Sequence, residues 1–203
     1  MYMNMKSKIL WAALALMAML AGIGGFVVGR YYIDNKKPNF TKDYVLYVYP
    51  DTPMEQVIDS LCQGAGAVRP RSLERAFAKV DAEQNMKPGR YVIDPSCTSI
   101  YAARMLVFGW QTPQNLTLSG TIRSKGVLAK KIAMQMMVDS ASVASALSDE
   151  EFLSQYGFSS EDVFGLVLPD TYQMYWTASV EESFDRFKKE YDAFWTPGRI
   201  AKA

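Results

Sequence analysis

From Ile9 to Gly29 the chain carries no charged side chain, and this run limits what it can fold into more than any other stretch. As a helix rising 1.5 Å per residue it is about 30 Å long, the thickness of a bilayer's hydrocarbon core. Lys6 and Lys8 precede it and Arg30-Tyr31-Tyr32 follows it, with the tyrosines suited to an interfacial belt. The competing reading is a cleaved signal peptide, but its apolar region is shorter and no Ala-x-Ala site ends this one. No cysteine lies nearby to carry a lipid. Lys6, Lys8 and the terminal amine favour a cytoplasmic N-terminus, while Arg30, Lys36 and Lys37 pull the other way. Only eight residues precede the run, so the functional mass follows it. The expected topology is a cytoplasmic tail at 1–8, a single inner-membrane span at 9–29 and a periplasmic remainder.

Charge excludes one class of partner. The 22 basic and 21 acidic residues nearly cancel, and a nucleic-acid partner would select a basic face. Histidine is absent, which removes Ser-His and Cys-His nucleophile pairs and the common zinc sites. Any acid–base chemistry rests on carboxylates, lysine, tyrosine or a partner. Cys62 and Cys97 match no metal spacing. One disulfide and two separate buried thiols both remain open. No metal or cofactor is implied.

After the span, Asp34 to Asp43 is polar, contains Pro38 and reads as a tether, giving a linker at 30–42. Tyr44 to Tyr49 is rich in β-branched and aromatic residues and predicts a strand. Asp51-Thr52-Pro53 then starts a helix with Met54, Val57, Ile58, Leu61 and Cys62 at helical spacing, ended by Gly64 and Gly66. A second helix is predicted over Ser72–Val80, and Met86 to Ile93 runs through a turn into a second strand. Cys97-Thr98-Ser99 opens a helix reaching about Trp110. Gln114–Leu118 predicts a strand, and Ser124 caps a helix with a stripe at Val127, Leu128, Ile132 and Met136. Ser148-x-x-Glu151 and Ser179-x-x-Glu182 read as capping boxes. Phe184, Phe187, Tyr191 and Phe194 have core spacing, and Met134, Met136 and Met137 are expected to fill the core.

Leu168-Pro-Asp-Thr-Tyr-Gln-Met-Tyr-Trp176 puts a proline, a carboxylate, a hydroxyl and three aromatics in one short segment. Pro169 fixes its own φ and biases Leu168 toward extended geometry, predicting a turn at Asp170. Aromatic faces beside hydrogen-bonding groups make a floor for a sugar ring; a buried Tyr/Trp cluster is the plainer reading. The segment resembles the PDTY segment of the endolytic murein transglycosylases, the MltG/YceG-like family. Thr-Tyr-x-x-Tyr-Trp followed by Glu-Tyr-x-x-Phe-Trp, ending at Trp195, looks most like Bacteroidetes-type members. The strand–helix–helix–strand unit, with Tyr91 after Gly89, resembles the LysM-like module that precedes the catalytic domain in that family.

The resemblance implies an α+β chain: an N-terminal transmembrane helix, a LysM-like module at 43–110, and at 111–203 the first part of a mixed α/β catalytic domain. It implies a lytic transglycosylase cutting nascent glycan between N-acetylmuramic acid and N-acetylglucosamine to leave 1,6-anhydro ends. The partners implied are peptidoglycan glycan strands, the membrane and the cell-wall synthesis machinery. Asp170, Thr171 and Tyr172 are the implied substrate-binding residues. Two departures stand out. The family's Pro-Glu-Gly step is here Ser119-Gly120-Thr121-Ile122-Arg123, and the glutamate five residues before the PDTY proline is Phe164. The family's acid lies in a later helix with an Ala-Ser-Ile-x-Glu motif, which does not occur up to Ala203. The resemblance therefore implies a truncated chain, inactive alone. The carboxylates in reach are Glu151, Glu161, Asp162, Asp170, Glu181 and Glu182, of which Glu151 and Glu182 read as caps. The alternative is a non-enzymatic, membrane-anchored glycan-binding or scaffold protein.

Overall fold

The computed structural model describes residues 5–202, with side chains from residue 9 onward. Residues 1–4 of the expected cytoplasmic tail lie outside the described residues, and residues 5–8 already belong to the first helix. That helix, α1 (Met5–Lys36), is long and apolar enough to cross a membrane. Its side chains from Ile9 to Val28 are exposed, as a lipid-facing surface requires.

The α1 helix does not stop at Gly29, and the expected tether is not one. Tyr31, Tyr32 and Asp34 remain helical, Asn39 and Phe40 are buried, and Pro38 bridges Thr98. A chain of hydrogen bonds explains why a polar, proline-containing stretch is held in place. The Asn39 amide donates to Ser99 Oγ at 2.9 Å, and the Ser99 and Ser72 hydroxyls lie 2.8 Å apart. Ser72 Oγ donates to Asp34 Oδ1 at 2.5 Å, and Arg75 donates to both Asp34 oxygens, at 2.6 and 3.0 Å. Asn39 also accepts the Arg69 backbone N–H at 2.9 Å. Buried polar groups must be partnered in this way to avoid their desolvation cost.

The chain divides into two compact units. The first comprises residues 1–46, 50–87 and 92–109; the second comprises 47–49, 88–91 and 110–203. The elements up to residue 109 are β1 (Tyr44–Val48), α2 (Met54–Gln63), α3 (Pro70–Lys79), α4 (Ala82–Asn85), β2 (Gly89–Ile93) and α5 (Ser99–Phe108), and β1 pairs with β2. In the first unit Leu46, Leu61, Leu73, Phe77, Ile93 and Leu106 are buried. The Thr98 side chain caps α5, accepting from the Tyr101 N–H, and Gly109 ends it at φ +68°, the left-handed conformation that glycine adopts without strain. The α3 helix begins at Pro70, two residues earlier than expected, because proline at the first turn forfeits no hydrogen bond. Cys62 and Cys97 are free thiols.

The second unit is built on β3 (Gln114–Leu118) and β4 (Asp170–Met174), an antiparallel pair in which Leu118 faces Asp170 and Gln114 faces Met174. The helices α6 (Lys125–Ala133), α7 (Ser140–Ala146), α8 (Glu150–Ser154), α9 (Val180–Phe194) and α10 (Pro197–Ile200) complete it. Leu116, Leu118, Tyr172 and Met174 point inward and join Leu128, Ile132, Phe184 and Phe187 in one core. Ser124 caps α6, and Ser179 with Glu182 forms a reciprocal capping box on α9. The other expected box is absent: Asp149, not Ser148, caps α8 by accepting from Phe152 N–H, and Glu151 is not a cap. Met134, Val127 and Phe194 are exposed rather than buried: Met134 is the C-cap of α6, Phe194 is the last residue of α9, and Val127 lies beside the buried Leu128 on α6.

Candidate functional site

The PDTY segment forms a strand, not a turn. Asp170 opens β4 and pairs with Leu118, 52 positions earlier. Successive residues on a strand point to opposite faces, so Asp170, Thr171 and Tyr172 do not converge on one surface. Tyr172 is fully buried in the core, against Phe187 at a ring separation of 4.8 Å. Its hydroxyl donates to the Leu168 carbonyl at 2.6 Å, fixing the residue ahead of Pro169. Burial, reinforced by the charges of Asp170 and Glu190, pushes its phenol up to about 12, so it stays a neutral donor. Thr171 is on the open face, its hydroxyl 3.2 Å from that of Thr117 on β3, a cross-strand pair. Asp170 is exposed at the end of the sheet and accepts the Thr171 N–H at 2.7 Å.

Beside Asp170, where β3 ends and β4 begins, lies a cavity of about 160 Å³ lined by Leu118, Gly120, Ile122, Leu128, Phe164, Val167, Leu168 and Pro169. Three segments singled out from the sequence meet there: the loop 119–123 after β3, the turn around Phe164, and the Leu168-Pro169 entry to β4. Gly120 turns the chain at φ +79°, and the Lys131 ammonium donates to the Ser119 carbonyl at 2.6 Å, tying the loop to α6. Its lining side chains are all apolar, Phe164 and the 119–123 loop contributing no carboxylate, and backbone groups supply its polar surface.

All six candidate carboxylates, Glu151, Glu161, Asp162, Asp170, Glu181 and Glu182, are exposed. Hydrogen bonds from the backbone and hydroxyl of Ser159 hold Asp162 below the usual carboxylate range, and the Ser179 hydroxyl does the same for Glu181. A general acid for glycosidic cleavage needs the opposite, a carboxyl raised by burial. The Glu182 carboxylate is taken up by the Ser179 N–H at 2.8 Å. Among the described residues no group of histidine, cysteine or carboxylate side chains is arranged to hold a metal ion.

Residues 46–203 match the YceG-like family. The chain belongs to that family. Among solved structures it resembles a YceG-like protein from Listeria monocytogenes at 17% identity and a TM-score of 0.41, with 78% of this chain and 57% of that one covered. The chain thus spans little more than half the length of that relative. No curated protein matches the sequence significantly.

Two features of this YceG-like chain lie outside the residues singled out in the sequence. Gln135, following α6, folds its side chain back on β3, donating to the Thr117 carbonyl at 3.1 Å and accepting the Thr117 N–H at 3.0 Å. No sequence signal marks it. Tyr47 and Tyr49 pack edgewise on Trp176, with ring centroids 5.0 and 4.9 Å apart. Their period-2 spacing in an aromatic strand was the signal that could have found them, because the alternating Leu46 and Val48 are the buried ones.

Proposed function

We propose that this chain belongs to a membrane-anchored endolytic peptidoglycan transglycosylase, which cuts nascent glycan between N-acetylmuramic acid and N-acetylglucosamine and so ends strand elongation. The observation that carries this reading is the family match over residues 46–203 together with the meeting of the PDTY strand and the 119–123 loop at one apolar cavity. In the proposed reaction a carboxylic acid protonates the glycosidic oxygen as its bond to the anomeric carbon breaks. The 6-hydroxyl of the muramic residue then bonds to that carbon and gives its proton to the same carboxylate, leaving a 1,6-anhydro end and consuming no water. Asp170 is the proposed substrate contact beside the cavity, with Tyr172 holding Leu168 beneath it, and the cavity takes an N-acetyl or lactyl group; Thr171 is a proposed contact on the open face of the sheet. The acid is a glutamate from outside the described residues, because every nearby carboxylate here is exposed.

The proposed topology places residues 30–203 on the periplasmic side, with the unit around α2 and α3 acting as a LysM-like surface toward peptidoglycan. A periplasm-dependent reporter fused after Ala203 tests it, and activity only in the cytoplasm overturns it. The exposure of all six carboxylates also supports a second reading, an anchored glycan-binding or scaffold protein without activity. One experiment separates the two. The 203-residue chain, purified in nanodiscs, is incubated with uncrosslinked glycan strands, with and without the acid-bearing helix of the family appended, and products are read by mass spectrometry. The enzymatic reading expects 1,6-anhydromuramic ends only with the appended helix. Their absence in both leaves the scaffold reading, and robust product from the chain alone makes Asp170 or Glu161 the acid.

A further inference from the structure

At the far end of the same two-stranded sheet lies a second cavity of about 350 Å³, walled by Tyr47, Tyr49, Gln114, Asn115, Gln135 and Trp176, with Met134 at its side. It opens about 14 Å from the Leu118–Asp170 pair, four strand steps away. Trp176 is almost fully buried and supports Tyr47 and Tyr49, which are 42% and 57% exposed. Aromatic rings kept half in water while braced from behind are unlike core residues, which bury their faces. Gln114 accepts from the Tyr47 hydroxyl at 3.4 Å and donates to the Gln135 carbonyl and to Met136 Sδ. This orients the tyrosine further. The exposed Asn115 amide has no hydrogen bond within the protein among the described residues.

No residue lining this cavity is charged, so neither an anion nor a cation is selected. Braced ring faces next to amide donors and acceptors suit a neutral pyranose, whose C–H faces stack while its hydroxyl and acetamido groups hydrogen-bond. The open face of the sheet running from here to Thr171 has the same character. Asn115 faces Gln173 and Thr117 faces Thr171, and all four are exposed, an uncharged polar face with a hydroxyl or amide at each step.

We propose that the Tyr47–Tyr49–Trp176 cavity is a saccharide subsite that holds a neutral N-acetylhexosamine ring of the glycan strand at the end of the sheet away from Asp170. The subsite rests on the transglycosylase reading for its substrate class, and it adds where the strand is gripped at a distance from the cut. Both tyrosines are braced on Trp176, and preorganisation of this kind saves ordering entropy on binding.

The test is calorimetric titration of the whole chain in nanodiscs with chitohexaose, an uncharged β-1,4-linked N-acetylglucosamine oligomer, and separately with a peptidoglycan stem tetrapeptide. Tyr47→Ala and Tyr49→Ala are each expected to weaken chitohexaose binding about ten-fold, while Tyr49→Phe, which keeps the ring, retains most of the affinity. Where an alanine variant loses its melting transition, Asn115→Leu carries the test, with weaker binding at an unchanged melting temperature. Equal chitohexaose affinity in the native chain and in all folded variants overturns the subsite and leaves the glycan reading standing. Failure of the native chain to bind any chitohexaose overturns both. Stem peptide that binds and is lost in Tyr49→Ala makes the cavity a peptide site and overturns the proposal.

Discussion

Gln135 satisfies both backbone groups of Thr117, accepting its N–H at 3.0 Å and donating to its carbonyl at 3.1 Å. One side chain thus stands in for a missing neighbour strand on the open edge of β3. Exposed edges of this kind invite pairing with other chains. A second donation from the same amide, to the Lys131 carbonyl at 3.0 Å, holds Gln135 to the end of α6.

Replacing Gln135 by alanine is therefore expected to lower stability by about 1–2 kcal/mol, the worth of three ordinary hydrogen bonds less the water that replaces them at a solvent-facing edge. Gln135→Glu keeps the acceptor for the Thr117 N–H but places a carboxylate against its carbonyl, so it loses as much or more. Urea midpoints of the variants check this. Unchanged midpoints mean the edge is held by solvent alone.

Asp34→Ala removes three hydrogen bonds at once, one from Ser72 and two from Arg75, and leaves that guanidinium without its carboxylate. The expected loss is about 2–3 kcal/mol, concentrated where α1 meets α3. Hydrogen exchange is the direct measurement. Amides of residues 31–36 and 39 exchange faster in the variant, while those of β3 and β4 keep their protection. Uniform change across the chain would contradict a local clamp.

Tyr91, Tyr156 and Tyr172 each have a phenol pushed up to about 12, mainly by burial. In the unfolded chain a tyrosine ionises near 10. The folded state therefore holds these protons more tightly, and their contribution is full below pH 10 and lost as pH rises from 10 toward 12. Alkaline titration followed by tyrosinate absorbance is expected to show a late phase that coincides with loss of helical circular dichroism. Phe in place of Tyr172 removes part of that phase and, by orphaning the Leu168 carbonyl, costs about 1 kcal/mol at neutral pH.

Elements whose boundaries are set by neighbouring residues were legible in the sequence. The β3 strand follows from Leu116 and Leu118 alternating between Pro113 and Gly120, and Ser124 and Ser179 cap the helices they were expected to cap. Elements decided by distant partners were not. Asp34 to Asp43 has the composition of a tether, yet Asn39 and Asp34 are held by residues 30 to 60 positions away. Pro169-Asp170 carries turn chemistry, yet pairing with Leu118 draws Asp170 into a strand. At the candidate site the sequence singled out the segment Leu168 to Trp176 but could not show that successive residues point to opposite faces, that Tyr172 is core, or where Gln135 and the paired tyrosines lie.

The continuity of α1 into the clamped segment at Asp34 has a mechanical consequence. With the first turns of the helix in a bilayer, the residues from Arg30 to Lys36 form a stalk about 10 Å long that neither bends nor swivels freely against α3. The unit it carries is kept at a nearly constant height and heading relative to the lipid surface. Its motion is then two-dimensional, set by lateral diffusion of the anchor rather than by the sweep of a flexible arm.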